Sequence, residues 1–525
     1  MSMKRPEIKN SYRLERGSAT LLCIFVFILL ATLGLGALIN TQVFLQSHQY
    51  RRNQWLRELA AENGVKWVLP SLRKYFDGFY PFLFLEENKV RFNSLSKASF
   101  PPEQMEDLLG PLPIPQDDQS FRFFGWKSKI VSQLDSFYKS QHYWVAEYEL
   151  VVEGKGYQGS LSSDSSAQLS FQVRLGCGRL PLAWFPFLYQ GEPSSREAEE
   201  IEKKINLFSR ETSIFKPRKI ILPPDKLATK EPQEWLAENL KIGVLEPEDF
   251  SRSRFREILG LEPANEAIPP GVYLIRDDLG LGGLFIQGDV EELLLGIDSS
   301  YQIIQVKKES SYWQLRFSPA QKITEFQTPQ GLESFTLLPR GMVIINGSVQ
   351  ALGAGVITPE KKLLPTQEKI PCFLQGITLT FLCAEEITIT SHLYQEGLNL
   401  EEHIPYLKGQ ESQLIIWACG QELFSGEKTS GKIHLQSPED QELLIQAHLK
   451  TVSLNTTNNP RKLTTVNLMG SLQTDQLNLK SSSLNIFHQP PRINDSLGEA
   501  FPLTQQPLLA LLLLQPQEWK EGNYD

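Results

Sequence analysis

GGLFIQGDVEEL (residues 282–293) and GMVIINGSVQAL (residues 341–352) align without a gap at an offset of 59 residues, superposing Gly288 on Gly347, Val290 on Val349 and Leu293 on Leu352. Each unit is a short apolar run that breaks at a glycine and then resumes, the pattern of a strand, a sharp corner and a second strand. Units of this kind, spaced as stacked turns, predict a β-solenoid over residues 271–488. ITLTFLCAEEITITSHL (377–393) and LLIQAHLKTVSLN (443–455) supply further apolar alternation for the same domain. A β-sandwich is the alternative architecture, because successive short strands with turns between them also build two packed sheets. The fold class is mainly β in either case.

Upstream of the repeat, residues 191–270 are the most charged and least strand-like part of the chain. EAEEIEKKI (197–205) and EPQEWLAENLKIG (231–243) read as short amphipathic helices of a boundary or insertion, their charge runs being solvated faces. Residues 70–190 read as a strand-containing linker domain. Trp144, Ala146, Tyr148, Leu150 and Val152 share one face, and Ala167, Leu169, Phe171, Val173 and Leu175 alternate with polar residues, so both stretches are half-buried strands. The connection EGKGYQGSLSSDSS (153–166) is rich in Gly and Ser and predicts a hairpin with a long mobile loop. PLAWFPFLY (181–189) marks a change of element. Residues 489–525 form a proline- and leucine-rich tail, in which LLALLLL (508–514) is too short to span a membrane and reads as a closing strand or buried plug.

At the other end of the chain, ATLLCIFVFILLATLGLGALI (residues 19–39, from Ala19 to Ile39) holds 21 consecutive residues without a charge. As a helix it is about 31 Å long, enough to cross a bilayer. The leader, residues 1–17, carries Lys4, Arg5, Lys9, Arg13 and Arg16 against Glu7 and Glu15, which places it in the cytoplasm and everything after Asn40 outside. A cleaved secretory signal is the competing reading, but its apolar core is shorter, about 7–15 residues. The next thirty residues contain no proline, so the helix is expected to continue over residues 18–69, with Leu56, Leu59, Ala60 and Trp67 facing a globular domain and Pro70 ending it.

RGSATLLCIFVFILLATLGLGAL (16–38) followed by RRNQWLRELAAENGVKWVL (51–69) resembles the N-terminus of PilX-type minor pilins and related pseudopilins. The resemblance implies cleavage by a prepilin peptidase after Gly17, leaving Ser18 as the first residue, and AAENG (60–64) is similar to the segment that ends the family's helix. Most major pilins carry glutamate at the fifth mature position; Leu22 stands there, which favours a minor or tip role. RGMVIINGSVQALG (340–353), GITLTFLCAEEITITSHL (376–393), LIIWACGQELF (414–424), LLIQAHLK (443–450) and Pro490, Pro491 and Pro502 resemble, in order, a domain of uncharacterised function found behind such N-termini. The implied protein is a single-pass subunit of a type IV pilus or type II secretion-like system in the cytoplasmic membrane, with a pilus or the cell surface as the alternative location, and with membrane lipid, prepilin peptidase and other pilin-type subunits as partners.

Chemistry is sought in vain. The net charge of -9 argues against nucleic acid, since neutralising phosphates takes an excess of Lys and Arg. Glycines 280, 282 and 283 invite a phosphate-loop reading, but the third glycine of G-x-G-x-x-G would fall at Phe285. Five cysteines, Cys23, Cys177, Cys372, Cys383 and Cys419, and seven scattered histidines make no metal pattern, so no catalytic, cofactor or metal residue is assigned. The alternative function is a surface-anchored glycan-binding protein or polysaccharide-cleaving enzyme. Its acids would come from Asp277 and Asp278, Glu291 and Glu292, or Glu385 and Glu386, with partners on neighbouring rungs because adjacent strand residues face opposite ways.

Overall fold

A computed structural model describes residues 12–77, 124–139, 143–158, 161–191, 193–208, 219–222, 232–240, 252–277, 280–400, 405–407, 412–436, 441–456, 463–480, 482–488 and 508–521. The chain is mainly β, with one long N-terminal apolar helix.

That helix, α1 (Tyr12–Asp77), has 66 residues, about 100 Å at 1.5 Å per residue. It differs from expectation at both ends. The last part of the basic leader, with Gly17, is already helical, and Pro70 does not end the helix. An interior proline removes one hydrogen bond and crowds the carbonyl four residues back, a cost of about 3 kcal/mol. Here the good helix formers Leu72, Arg73 and Lys74 carry the helix a further turn and more beyond it. The buried face also differs. Ala60, Ala61 and Val65 are buried together with Gly64, whereas Leu59 is exposed, and the Trp67 side chain lies outside the described residues. Small residues form the buried stripe because the helix comes very close to its sheet.

The sheet is antiparallel, in the order β1 (Phe124–Lys139), β2 (Tyr143–Gln158), β3 (Leu161–Gly178) and β26 (Leu508–Glu521). The expected hairpin is present, with Trp144 opposite Cys177 and Val152 opposite Leu169. Its long mobile loop is not. Gly154 and Gly156 continue β2, paired with Ala167 and Ser165, and they lie under α1. A Cβ on Gly156 would stand 2.9 Å from the Arg57 carbonyl carbon and 3.1 Å from Ala61 N, and one on Gly154 would stand 2.9 Å from a Val65 methyl. Glycine is therefore required for backbone to approach backbone rather than for a turn. The tail strand β26 closes the far side of β3, so residues 508–521 belong to the first sheet rather than to a separate tail.

The body contains β4 (Phe187–Gln190), β5 (Ile205–Phe208), β6 (Lys219–Leu222), β7 (Gly271–Asp277), β8 (Gly280–Gln287), β9 (Glu292–Asp298), β10 (Tyr301–Lys308), β11 (Ser311–Ser318), β12 (Ile323–Thr328) and β13 (Gly331–Phe335). It continues with β14 (Met342–Asn346), β15 (Val349–Ile357), β16 (Leu363–Pro365), β17 (Thr378–Cys383), β18 (Ile387–Ile389), β19 (Leu398–Asn399), β20 (Tyr406–Leu407), β21 (Gln413–Ala418), β22 (Lys432–Leu435), β23 (Glu442–Thr456), β24 (Thr465–Asn478) and β25 (Ser483–Phe487).

Most of these strands pair in parallel. One ladder runs β8–β14–β17–β21–β23–β24–β4–β6. A second runs β9–β15–β18–β22–β23–β24. A third joins β23, β24, β25 and β5. The repeat lies in register: Gln287 pairs with Asn346, Val290 with Val349 and Leu293 with Leu352. Leu284, Ile286, Leu295, Val343, Ile345, Leu379, Ile416, Ile445 and Leu468 fill the space between the ladders as one core. Beside this ladder, β9 to β13 form an antiparallel meander and β15–β16 a hairpin.

Residues 191–270 are more than a boundary. α2 (Ser195–Lys204) starts at a capping box, in which Glu197 N donates to Ser194 Oγ and Ser194 N to Glu197 Oε2. β5 and β6 then add rungs to the ladder, and α3 (Pro232–Asn239) and α4 (Arg252–Ile258) cover its outer side. Trp235 meets Trp417 edge-on at 5.8 Å, and Phe255 meets Phe285 at 4.9 Å.

Candidate functional site

The functional feature with the clearest geometry is α1 itself. Ala19 and Ile39 bound a stretch in which Leu22 is 68% exposed, Phe27 78% and Leu38 69%. No described residue covers it. Exposing such side chains to water costs about 25 cal/mol per Å² of apolar surface, so the span requires an apolar environment. Its polar groups are already satisfied: Thr32 Oγ1 donates to the Ile28 and Leu29 carbonyls and Thr41 Oγ1 to the Ala37 carbonyl. No hydroxyl in it is left to be desolvated alone. Among the described residues this is the one helix long and apolar enough to cross a membrane. Gly34 and Gly36 have open space around them. Gly17 and Ser18 lie in the second turn of α1, immediately before Ala19.

The acidic pairs fall at ladder corners and turns, each engaged by a base or hydroxyl. Asp277 is ion-paired to Arg340 and its side chain is fully buried; Asp278 lies outside the described residues. Glu291 faces Lys307 at 3.2 Å. Burial raises the pKa of Glu292, with Lys307 opposing. Glu385 accepts a hydrogen bond from Ser348 Oγ at 2.7 Å, one rung away. Glu386 meets Lys432 at 3.3 Å and His434 at 3.2 Å. Burial pushes Glu386 upward, but hydrogen bonds from Ser430 and Lys432 and the His434 charge outweigh it and hold the carboxyl below its ordinary value. Partners on neighbouring rungs are thus present, and they are cations and a hydroxyl.

Histidines are dispersed. His392 Nδ1 accepts from Leu444 N, and His448 Nδ1 lies 3.0 Å from Ser471 Oγ. Burial depresses His448 to about 3 and His488 to about 4. His142 and His403 lie outside the described residues. Among the described residues no group of three or more His, Cys, Asp or Glu is placed to hold a metal ion. Cys23 is an exposed thiol on α1, Cys372 and Cys383 are buried thiols, and Cys419 is half-buried with its Sγ 3.4 Å from the Gln421 carbonyl oxygen. The glycines at 280, 282 and 283 sit within β8 rather than between a strand and a helix N-terminus.

Sequence reasoning missed the glycine seat beneath α1, because glycines in a polar stretch read as loop. The spacing Gly-x-Gly at the end of an alternating strand, opposite an Ala-Ala-x-x-Gly helix, is the signal that would have found it. Comparison with family models, with curated proteins and with solved structures gives no match to this chain.

Proposed function

We propose that this chain is a membrane-anchored, pilin-like structural subunit, acting through helix packing in a membrane or filament and carrying a β-solenoid body on the non-cytoplasmic side. The observation that carries the reading is α1: an apolar span that no described residue covers runs without a break into a small-residue face seated on an antiparallel sheet. A rigid rod of this kind fixes the body at a set distance from whatever holds the span. The basic leader supports a cytoplasmic start, and hence a single pass through the cytoplasmic membrane. Gly17 is the residue after which prepilin peptidase would cut, with other pilin-type subunits and lipid as the partners of the span. The three parallel ladders and the in-register repeat support the solenoid reading of the body, and the engaged state of the acidic pairs favours a structural over a hydrolytic role.

Leu22 at the fifth mature position leaves the new terminal amine without the carboxylate common in the family, and an unpaired charge in an apolar medium is costly. The subunit is therefore suited to a tip or priming position, where that amine reaches solvent or a neighbour's glutamate. Co-expression with a prepilin peptidase tests the assignment: N-terminal sequencing should begin at Ser18, and Gly36→Cys in a Cys23→Ser background should cross-link other pilin-type subunits. An N-terminus near Ala37 would mean a conventional signal peptide and would remove the anchor. A span that traps nothing would refute assembly by helix packing.

A further inference from the structure

A groove of about 600 Å³ opens on the outer face of the meander, walled by the β15–β16 hairpin. Its size lies within the ~300–1,000 Å³ of small-ligand sites. Register places Gln305, Gln314 and Gln327 in one cross-strand row. The Gln305 amide is spent on the wall: its oxygen accepts from Leu363 N and its nitrogen donates to Leu363 O, both at 2.8 Å. Gln314, which lines the groove, donates from Nε2 to Lys361 O at 2.9 Å, and this bond holds the hairpin tip. The Gln327 amide has only a long 3.4 Å contact to the carbonyl of its own neighbour, Thr328.

In the next row Arg316 is clamped by Asp298 and Glu325 at 2.8 Å each and lies 4.8 Å from the Tyr301 ring centroid. It is rigid and its charge is matched. At the wall, Tyr312 is 38% exposed, with Lys362 Nζ 5.3 Å from its ring centroid.

These features select a ligand class. Arg316, Lys361 and Lys362 are matched by Glu325 and Glu360 in the lining and by Asp298 behind it, which pairs with Arg316, so the groove offers no surplus charge to a phosphate or carboxylate. Leu332, Pro329 and the Tyr312 ring give too little apolar surface for a lipid chain. What remains is the Gln314 and Gln327 amides beside a partly exposed ring. Such groups suit a ligand with many hydroxyls and an apolar C–H face. We infer that this groove binds a neutral oligosaccharide, with Tyr312 packing on a sugar face and Gln314 and Gln327 hydrogen-bonding its hydroxyls.

The site is independent of the anchoring helix, so its failure would leave the proposed role of α1 intact. The full chain, purified in a detergent without a sugar headgroup, is titrated calorimetrically with cellohexaose, chitohexaose and maltohexaose. At least one should bind with a Kd below about 1 mM. Tyr312→Ala and Gln327→Ala should each weaken it by about tenfold or more, Tyr312→Phe should retain it, and Gln350→Ala, on β15 outside the groove, should bind as the parent does. Equal thermal midpoints for all variants exclude misfolding as the cause. Absence of binding by all three saccharides, binding that survives both alanine variants, or displacement by inorganic phosphate would each overturn the inference.

Discussion

Adding one methyl group at Gly156 should loosen α1 from its sheet. Ordinary van der Waals contact begins at 3.4 Å, and an alanine Cβ there would stand 2.9 Å from the Arg57 carbonyl carbon and closer still to its oxygen. The obstructing atoms are helix backbone, so no side-chain rotation relieves them, and α1 must retreat by more than about 0.5 Å along this stretch. Ala61 and Val65, which are 1% and 0% exposed, then lose close contacts with the sheet. Overpacking of this kind costs about 1–3 kcal/mol, and the entropy that alanine removes from the unfolded chain returns about 0.4–1 kcal/mol. The net expectation is a loss of about 1–2 kcal/mol for Gly156→Ala and a larger loss for the double Gly154→Ala/Gly156→Ala variant. The assay is urea unfolding of the full chain in micelles, followed through the tryptophans, with proteolysis near residue 66 as a local readout. Gly34→Ala and Gly36→Ala are the controls, because their Cβ atoms meet nothing within 4 Å. If Gly156→Ala matched these controls in midpoint and protease resistance, the close helix–sheet seat would be refuted.

Acid should destabilise the body. His448 and His488 stay neutral in the fold down to about 3 and 4, whereas in the unfolded chain they protonate near 6.5. Stability is therefore complete above about pH 6.5 and falls on acidification by roughly 1.4 kcal/mol per pH unit for each histidine. Asp475 acts oppositely: burial raises it to about 6, so the native state takes its proton first and offsets about one histidine between pH 6 and 4. A wild-type urea midpoint that does not fall from pH 7.5 to 5, or one whose slope His448→Gln leaves unchanged, would contradict this. Arg340→Met removes the cation paired with the buried Asp277 carboxylate and should cost about 3–5 kcal/mol, with adding Asp277→Asn recovering most of it; equal midpoints for the single and double variants would count against a buried pair. Cys372, whose thiol burial pushes up to about 12, and Cys383, pushed higher, should react with maleimide only on unfolding, while exposed Cys23 reacts in the native protein once detergent is exchanged for a permeable one.

The repeat was legible because a parallel ladder in register stacks like on like: Leu293 beneath Leu352 and Val290 beneath Val349 leave the same letters at the same spacing. The apolar span was legible because length and absence of charge need no tertiary context. β5 and β6 were hidden, since four-residue strands such as INLF and KIIL carry too few alternations to stand out from a charged helical segment. The partner of the tail strand was also hidden, because Gln517 reaches Gln172 across 345 residues of chain. The acidic pairs were named, but Lys432 and His434 beside Glu386 come from the next rung, a neighbour that spacing alone does not reveal. The groove residues alternate within SYWQLRFS, yet their meeting with Lys361 and Lys362 depends on a hairpin folding back from β15.

The chain's route has a bearing on when this protein is able to fold. β4 and β5, made early, rest on β24 and β25, made last; Gln473 and Gln190 meet across 283 residues. β26, near the very end, completes the sheet begun by β1 to β3. Until β24 to β26 are synthesised, β3, β4 and β5 each lack a neighbouring strand. A chain cut short before β24 to β26 leaves those edges unpaired, and unpaired strand edges are sites for aggregation and proteolysis.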